Sequence, residues 1–524
     1  MHSLAIIGIA ILLSLLLYKY FISPVFLSPL SKIPNAHFSV PITSQWIDSK
    51  RKNCSGTQTI YALHQKHGPI VRLGPNELSV CTPAALRTIY VGGFEKTRWY
   101  LDSFVNYGTQ NIVSMLDYKP HSTQKRMLAN VYSKSYLQSS EDLQTASTQL
   151  TYGRLLPIMN GMANRKVQLD VLDFFQGVFM DSMTAYLFGL SNATDFMDMV
   201  SYRRYWLADY KNFKNQMPLE RAGGEVEKLC FSLCEKAEMF LHSEKDPEAA
   251  KESVETNPVA YGRLTQSLRE AASQSEKPDS KVIMTKVASE MLDSIIAGHE
   301  TSGITISYLM WEMSQRPDLQ EKLRSELLTL SPPIVWEPSS QDSSHTLPSP
   351  RSIDSLPLLN SILQETFRLH AAAPAQQPRL TPHTPAGTTL EGYSGIPGGV
   401  RVSANAYTLH RNPTVYPQPS RWLPERWMNA TDEHKAEMKR WFWVFGSGGR
   451  MCLGSNFAIQ GMFDIQVKLT LIVRLIVDTG LKLVIATIYT NYTTEIVDDE
   501  GIEQTDTFIA GPVGEKLILR FTHV

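Results

Sequence analysis

Cysteine is scarce in this chain: among 524 residues there are five, Cys54, Cys81, Cys230, Cys234 and Cys452. So few and so widely spaced, they do not suit the disulfide framework of a small secreted protein. Cys230 and Cys234 lie one helical turn apart without a second pair, so their spacing argues against a structural zinc site. The odd number raises the question of whether one thiol has a chemical role.

An excess of charge of either sign is also missing. Fifty Lys and Arg residues oppose 51 Asp and Glu residues, which leaves a formal net charge of −1. Without a basic field to hold phosphates, the composition argues against a nucleic acid as the main partner. Apolar material is plentiful, because 43% of the residues are hydrophobic and 10% are aromatic. This composition supports a large core and excludes wholesale disorder.

A long apolar run lies at the amino end. The nineteen residues Leu4–Ile22 carry one charge, Lys19, and as a helix they would span about 28 Å, close to one bilayer core. No Lys or Arg precedes Lys19 and no small-x-small cleavage site is present, so an uncleaved signal anchor is favoured over its alternative, a secretory leader. Basic residues downstream predict a cytosolic main chain. We expect a transmembrane anchor at 1–22, a proline-rich hinge at 23–40, in which Pro24 blocks helix, and one large domain at 41–524.

Beyond the hinge, the pattern predicts a mainly α-helical protein with a smaller β portion. Apolar residues recur at three- and four-residue spacing over much of 121–240, and a long helix is predicted from Ile283 to Ser314. Residues 242–281 are predicted to form a polar connection with some helix, and the Ser- and Pro-rich stretch 331–352 a surface insertion. Strands are expected at Ile70–Leu73, at Glu77–Val80, within Gly387–Asn405 and at Lys516–Phe521.

One cysteine stands in a glycine-rich loop. Cys452 belongs to the stretch Phe445-Gly446-Ser447-Gly448-Gly449-Arg450-Met451-Cys452-Leu453-Gly454, directly before a helical pattern. The glycines allow a flat partner to approach the backbone, and a helix N-terminus favours a thiolate. No partner base for a nucleophile is evident, so axial ligation of haem iron is favoured, with Arg450 placed to meet a propionate. The alternative is a buried cysteine at a glycine-rich turn.

The loop has the pattern F-x-x-G-x-R-x-C-x-G, which resembles the haem-ligand loop of the cytochrome P-450 family. Two further stretches match that family in order: Glu365-Thr366-Phe367-Arg368 its E-x-x-R helix, and Pro424-Glu425-Arg426-Trp427 its P-E-R-W segment. The resemblance implies that Glu365, Arg368 and Arg426 form a structural network near the haem face. It extends over about Ile70–Phe521, in the style of fungal microsomal members.

The long predicted helix carries a second family motif. Ala297-Gly298-His299-Glu300-Thr301-Ser302 matches the pattern [AG]-G-x-[DE]-T-[TS]. Small Ala297 and Gly298 are expected to open room beside the helix, and the Thr301 hydroxyl can turn onto a backbone carbonyl. The resemblance implies that Glu300 and Thr301 deliver protons during dioxygen cleavage. His299 is interpreted as a packing residue or as a substrate contact. The alternative interpretation of the whole motif is a buried core helix with one polar face.

The resemblance also implies how the cofactor, haem b with a cysteine thiolate ligand, would be held. Cys452 would be the metal ligand, with Phe445, Gly448 and Gly454 shaping its loop. Where the family has W/H-x-x-x-R, this chain has His121 and Lys125, and lysine lacks the two-pronged geometry of arginine. Arg379 and Arg450 are therefore the better candidates for the haem propionates.

The function implied is that of a membrane-anchored haem-thiolate monooxygenase, with its catalytic domain, residues 41–524, on the cytosolic side of the endoplasmic reticulum membrane. It would oxidise an apolar small molecule in fungal secondary metabolite biosynthesis. Electrons would come from NADPH through a separate cytochrome P-450 reductase, with cytochrome b5 as a second donor. The alternatives are a reductase-independent haem-thiolate isomerase or peroxygenase and a non-enzymatic electron carrier. The implied pocket is lined by Trp99–Ile112, Tyr205–Pro218, the helix before Glu300, Ala371–Gln377 and Thr507–Ala510.

Overall fold

The structure, a computed structural model, describes residues 2–215, 224–243, 255–273, 279–337, 345–453 and 475–524. Helices dominate these residues. In chain order the α-helices are α1 His2–Leu17, α2 Gln45–Lys52, α3 Gly56–His67, α4 Pro83–Leu86, α5 Trp99–Phe104, α6 Tyr118–Ala129, α7 Lys134–Ser139, α8 Glu141–Leu150, α9 Leu156–Asn164, α10 Val171–Phe188, α11 Val200–Asn215, α12 Glu225–His242, α13 Val259–Ala272, α14 Ser280–Ser314, α15 Pro317–Leu327, α16 Pro350–Asp354, α17 Pro357–Leu369, α18 Ala406–Leu409, α19 Glu425–Asn429, α20 Asp432–Trp441 and α21 Leu475–Asn491.

Strands form a smaller part of the described structure. They are β1 Ile70–Gly74, β2 Glu77–Val80, β3 Glu95–Lys96, β4 Gln168–Asp170, β5 Arg379–Leu380, β6 Thr388–Leu390, β7 Tyr393–Ile396, β8 Arg401–Ser403, β9 Tyr492–Asp498 and β10 Ile518–His523. The largest sheet has the order β1-β2-β8-β5-β3, with β2 and β8 parallel. A second sheet has the order β4-β10-β9, and β6 pairs with β7. The predicted fold class and the predicted strands are confirmed.

The long helix α14 is the central element of the fold. It ends at Ser314, as predicted, because Pro317 follows shortly after, and it begins at Ser280, slightly earlier than Ile283. α10 packs along it, and most residues of both helices are buried. The predicted polar connection at 242–281 contains α13, while residues 244–254 and 274–278 of that stretch lie outside the described residues, as do 338–344 of the predicted insertion.

The amino-terminal helix extends further than the sequence predicts. α1 continues into a π-helical segment, Tyr18–Leu27, and the 23-residue stretch Ala5–Leu27 is long and apolar enough to cross a membrane, with none of it buried. The expectation that Pro24 blocks the helix is wrong, because Pro24 lies inside the π-helical segment. A wider turn with i→i+5 hydrogen bonds moves the carbonyl with which the proline ring of an α-helix would clash.

Arg72 on β1 attaches the chain leaving this helix to the main sheet. Its buried guanidinium donates hydrogen bonds to the carbonyl oxygens of Pro24 at 3.0 Å, Gly74 at 3.2 Å and Pro75 at 2.9 Å. The end of the apolar helix is therefore held against the main body by residues that come after residue 22. Residues 2–22 themselves are exposed wherever their side chains are described.

We predict that deletion of residues 2–22 moves the protein partly into the soluble fraction without loss of bound haem. The deleted side chains that the structure describes, those of residues 5–22, are all exposed, and Arg72 and Pro24 are retained. Residual membrane binding is expected, because Phe26, Leu27 and Phe38 remain exposed. Membrane fractionation and Soret absorbance check both parts of the prediction. Loss of all haem on truncation would contradict the separation of anchor and main domain.

Candidate functional site

A fully buried carboxylate on α17 organises one side of the site. The Glu365 carboxylate accepts hydrogen bonds from Arg368 at 2.8 and 2.9 Å, from Arg426 Nε at 3.1 Å, from Trp427 Nε1 at 2.9 Å and from the Leu423 N–H at 2.9 Å. Burial alone would raise the pKa of Glu365, but these donors and the two guanidinium charges outweigh burial and hold the pKa below its usual value. Both carboxylate oxygens are therefore saturated, which is what a buried ion pair needs to be stable.

The network extends from Glu365 towards the cysteine loop through Arg368 and His410. Arg368 Nη1 donates to the His410 carbonyl at 2.9 Å, and His410 Nδ1 lies 3.0 Å from the Arg368 carbonyl. Burial and the charge of Arg368 lower the pKa of His410 to about 3. The ring is thus neutral, and its Nε2 accepts the Trp443 N–H at 2.8 Å. Two residues after Trp443, the Phe445 carbonyl accepts the Cys452 N–H at 3.0 Å, so a path of hydrogen bonds joins α17 to the cysteine.

The glycines of the loop have two distinct uses. Gly446 and Gly448 have φ angles of 72° and 71°, in the left-handed region that other residues rarely adopt. A Cβ atom on Gly448 would also lie 2.1 Å from the Tyr90 carbonyl oxygen, so this position requires glycine on both grounds. The loop leaves Cys452 exposed. Gly454 and the start of the predicted helix after the cysteine lie outside the described residues.

Positively charged side chains converge beside this loop. Arg379 donates to Tyr100 Oη at 2.8 Å, and its guanidinium lies over the Tyr100 ring, 5.2 Å from the ring centre. Arg450 donates to the carbonyls of Met115, at 2.7 Å, and Leu116. The sequence predicts both arginines as anion-binding residues. Burial and then the charge of the nearby Arg379 lower the pKa of Arg450 to about 10.

A buried lysine that the sequence analysis missed belongs to the same group. Lys96, paired with Arg379 between β3 and β5, donates to the carbonyls of Ile112 at 3.3 Å and Val113 at 2.6 Å. Burial and the charges of Arg379 and Arg450 lower the pKa of Lys96 well below its usual value. A lysine in a two-residue strand carries no recognisable sequence signal, because only the β3–β5 pairing brings it to the arginines.

The two residues predicted on the early helix to hold a propionate, His121 and Lys125, have different surroundings on α6. His121 is buried, and its Nδ1 has no hydrogen-bond partner among the described residues. Burial and the charges of Arg450, Lys96, Lys125 and Arg379 lower the pKa of His121 to about 2. Lys125 donates to the carbonyls of Gly449 at 3.0 Å and Met451 at 2.8 Å, so it is attached to the cysteine loop itself. Burial and Arg450 lower the pKa of Lys125 to about 8.

Carboxylates lie near this group of cations but none is bonded to it: the charge of Asp293 opposes the lowering of the Lys96 pKa, and the charges of Glu95 and Asp117 oppose that of the Arg450 pKa. Among the described residues, none of Lys96, Lys125, Arg379 and Arg450 forms an ion pair, and the Arg450 Nε is buried without a hydrogen-bond partner. Buried charges in proteins are ordinarily paired, and like charges destabilise one another. The residues therefore fit an anionic group bound beside Cys452, and the two propionates of haem have the required charge.

The helix α14 passes the other side of the site. The Thr301 hydroxyl donates to the Ala297 carbonyl at 2.6 Å, in agreement with the sequence prediction. Ala297 is exposed and thus leaves room on this face. The same expectation for Gly298 is wrong: a Cβ there would lie 2.6 Å from Met183 Cγ, so the glycine allows α10 to pack closely.

The acid of the motif is engaged by α11. Glu300 accepts a hydrogen bond from the Tyr210 hydroxyl at 2.6 Å and forms an ion pair with Lys214. The structure thus directs the Glu300 carboxylate towards α11, a contact that the motif alone could not show. The neighbouring His299 is buried. Its Nδ1 lies 2.8 Å from the Ile295 carbonyl, and its ring packs edge-to-face on Trp206 with the ring centres 5.4 Å apart. These contacts support the interpretation of His299 as a packing residue.

Several stretches predicted to line the pocket come together. Trp99, Phe104 and Phe508 form an aromatic cluster with ring centres 4.9 to 5.7 Å apart, and the Ala510 N–H donates to the Ala372 carbonyl at 2.9 Å. Tyr205 departs from the prediction, because it is 59% exposed on the outside of α11. The end of that predicted stretch, Pro218, lies outside the described residues.

Comparison with known proteins agrees with this geometry. The cytochrome P-450 family model matches residues 39–474. The cytochrome P-450 monooxygenase avaI of Aspergillus versicolor is 29% identical over 427 residues, which cover 78% of this chain and 96% of the relative. The cytochrome P-450 monooxygenase orf2 of Aspergillus niger is 25% identical over 516 residues, 94% of this chain and 93% of the relative. A further relative, the monooxygenase stcF of Emericella nidulans, is 26% identical over 418 residues, 78% of this chain and 80% of the relative.

We predict that Lys96→Met weakens haem retention about tenfold or more, because it removes one of the cations that would face the propionates. Transfer of haem to excess apomyoglobin, followed by Soret absorbance, measures this loss without reference to activity. Lys119→Met is the matched control, since Lys119 is exposed on α6. Retention equal to that of wild type in Lys96→Met would show that the lysine serves only the carbonyls of Ile112 and Val113.

Proposed function

The chain belongs to the cytochrome P-450 family and is a monooxygenase, and from this premise we propose which residues carry the reaction. The observation that carries the proposal is the set of cations beside Cys452 that form no ion pair among the described residues. Cys452 would be the axial ligand of haem b, with Arg379, Arg450, Lys96 and His121 facing the propionates. When bound, the haem supplies the iron that activates dioxygen for insertion of one oxygen atom into an organic substrate.

Lys125 has a positioning role in this proposal. Its ammonium group is bonded to two carbonyls of the cysteine loop, and the charge of Cys452 favours its protonated form. Phe445 closes the loop from the other side, because its carbonyl accepts the Cys452 N–H and its ring packs edge-to-face on Phe367, 5.2 Å away. The cysteine is thereby held between α6 and α17, and Gly448 lets the loop pass close to Tyr90.

Thr301 is proposed to hand protons to the reacting oxygen. Cleavage of the O–O bond of dioxygen consumes two protons, and a positioned hydroxyl can accept and pass them. The hydrogen bond to the Ala297 carbonyl fixes the Thr301 O–H, which leaves the oxygen lone pairs available on the face where Ala297 is exposed.

Glu300 is proposed to supply Thr301 with protons from solvent. Lys214 is 40% exposed, so the ion pair with Glu300 connects the buried carboxylate to bulk water. Because Tyr210 and Lys214 hold the carboxylate towards α11, delivery to Thr301 requires the Glu300 side chain to leave them. A movement of α11 would therefore control the proton supply.

The membrane, the electron donors and the substrate class of the proposed reaction are inferred from the family and from the amino-terminal helix. We propose that the apolar helix anchors residues 41–524 on the cytosolic face of the endoplasmic reticulum membrane, where a separate NADPH-dependent reductase, with cytochrome b5 as a second donor, delivers electrons. The curated relatives described above are fungal monooxygenases, which supports an apolar substrate from fungal secondary metabolism. The isomerase and electron-carrier alternatives have no use for a proton path at Glu300 and Thr301.

We predict that Thr301→Ala uncouples electron consumption from product formation. Without the hydroxyl, NADPH oxidation continues while product per NADPH falls about tenfold or more, with the missing electrons recovered as hydrogen peroxide. A water molecule filling the vacated space can soften the loss. NADPH, peroxide and product are measured together in the reconstituted system with the reductase.

The matched control for this experiment is Thr305→Ala, one turn along α14, where the hydroxyl is buried and donates to the Thr301 carbonyl at 2.8 Å. The same loss of hydroxyl and methyl groups there should leave the product yield close to that of wild type. Thr301→Ser, which keeps the hydroxyl, should retain most of the yield. Unchanged product per NADPH in Thr301→Ala would show that Thr301 only packs within the helix.

A further inference from the structure

The apolar amino-terminal helix joins the main domain through a short connection held by hydrogen bonds. The Ser28 N–H donates to the Ser23 carbonyl at 2.8 Å and closes the last turn of the π-helical segment. The Ser28 hydroxyl accepts the Leu30 N–H at 3.2 Å, at the start of a 3-10 turn over Pro29–Lys32. The helix and the turn therefore share Ser28, with no linker between them.

The end of this connection belongs to the main domain. Leu30 and Ile33 are almost completely buried in a hydrophobic cluster that extends through that domain. The Pro34 carbonyl accepts the Arg72 N–H at 2.8 Å, and the Ala36 N–H donates to the Arg72 carbonyl at 2.9 Å, so the chain pairs with β1. Movement of the helix relative to the domain is therefore restricted to the few residues before Leu30.

The side chain of Arg72 closes this remaining gap. Arg72 Nη1 donates to the Pro24 carbonyl at 3.0 Å. In a π-helix that carbonyl would accept the N–H of residue 29, but Pro29 has no N–H, and the Ser28 N–H is bonded to the Ser23 carbonyl. The end of the helix thus leaves one acceptor open, and a guanidinium from the main sheet fills it.

This contact is costly to break, because Arg72 is a buried cation without a carboxylate. Among the described residues its side chain forms no ion pair, and the carbonyls of Pro24, Gly74 and Pro75 accept its hydrogen bonds. Burial lowers the pKa of Arg72 to about 10, which leaves the group charged at neutral pH. A buried charge that loses an acceptor is destabilised, so the guanidinium favours the attached position of the helix.

We propose that Arg72 locks the apolar helix to the main sheet, so that the membrane-anchored domain is held in one orientation relative to the bilayer. The inference rests on the proposed anchoring and adds that the stretch 23–40 transmits the orientation of the helix to the domain. A flexible linker would let the domain tilt over a wide range of angles. A locked connection fixes which faces of the domain meet lipid and which meet the cytosol.

Contact of exposed apolar side chains with lipid is the other way in which this chain would set its orientation. Phe38 and Ile42 are exposed on the domain side of the connection, and side chains of this kind favour the interface of a bilayer. Such contact does not depend on the link at Pro24. Detaching the helix from Arg72 while the domain stays intact therefore distinguishes the two determinants.

The test measures the orientation of the bound haem, which is fixed within the domain. The full-length haem-loaded protein is incorporated into oriented multilayers of phosphatidylcholine, and the electron paramagnetic resonance of the ferric haem is recorded in the frozen sample as a function of its angle to the magnetic field. We expect a strong angular dependence for the wild type. Its width measures the spread of domain orientations.

A Gly-Gly-Gly insertion between Ile22 and Ser23 leaves the Arg72–Pro24 contact in place but detaches the membrane-spanning residues from it. We expect this variant to lose most of the angular dependence, while the Soret band of the reduced carbon-monoxide complex is unchanged. The matched control is the same insertion between His2 and Ser3, which should behave as the wild type does. Because the insertion at Ile22 does not alter the domain, its result holds even if other variants fail to fold.

Arg72→Met removes the lock itself, and in its folded, haem-loaded form it should lose the angular dependence as well. Lys32→Met, which removes one positive charge at an exposed position of the same connection, should keep it. An angular dependence that persists in folded Arg72→Met would overturn the inference.

Persistence with the insertion at Ile22 would also overturn the inference, in favour of lipid contact by Phe38 and Ile42. A wild-type protein that stays with the bilayers but shows no angular dependence would defeat this inference alone. Failure of the wild type to stay with the bilayers would instead contradict the proposed anchoring.

Discussion

The site depends on one buried ion pair network, in which Glu365 is bonded to Arg368 and Arg426. Removing a partner from such a network costs about 3 to 5 kcal/mol, because a charge is left buried and unpaired. Here the cost would not stay local. Arg368 holds His410, and His410 holds the Trp443 backbone that leads to the cysteine loop. Beyond the ion pair network of Glu365 and its two arginines, the path runs through the neutral His410 ring and backbone groups. The loop is therefore positioned by neutral hydrogen bonds, which tolerate a negatively charged sulfur nearby.

The opposite problem, unbalanced positive charge, exists on the propionate side. Burial and the charges of neighbouring cations lower the pKa values of Lys96, Lys125 and Arg450, and among the described residues no carboxylate forms an ion pair with any of them or with Arg379. A fold that gathers like charges gains stability when a ligand of opposite charge binds, by mass action on the folded state. The cofactor in this sense contributes to the stability of the domain as well as to its chemistry. On the Glu365 side the charges are paired within the chain, whereas on the propionate side the cations need a bound anion.

Much of this arrangement could be predicted from the sequence, and the failures have physical reasons. Short-range signals succeeded: Gly74-Pro75 between two strands and Pro317 after a long helix. Partners chosen by tertiary structure were missed, as for Lys96, which reaches Arg379 only through β3–β5 pairing, and for Glu300, which finds Lys214 on another helix. Gly298 was misinterpreted because a small residue can admit either a ligand or a neighbouring helix, and only packing against Met183 distinguishes the two.

The identity of the iron ligand is the claim on which the account rests. Replacing Cys452 by Ala and recording the reduced carbon-monoxide complex tests it directly, because only a thiolate donates enough electron density to shift the Soret band far to the red. The matched control is Cys54→Ala, which removes another exposed thiol. The account predicts that Cys452→Ala loses the red-shifted band while Cys54→Ala keeps it. A red-shifted band that persists in Cys452→Ala would contradict the assignment of the ligand and, with it, the proposed reaction.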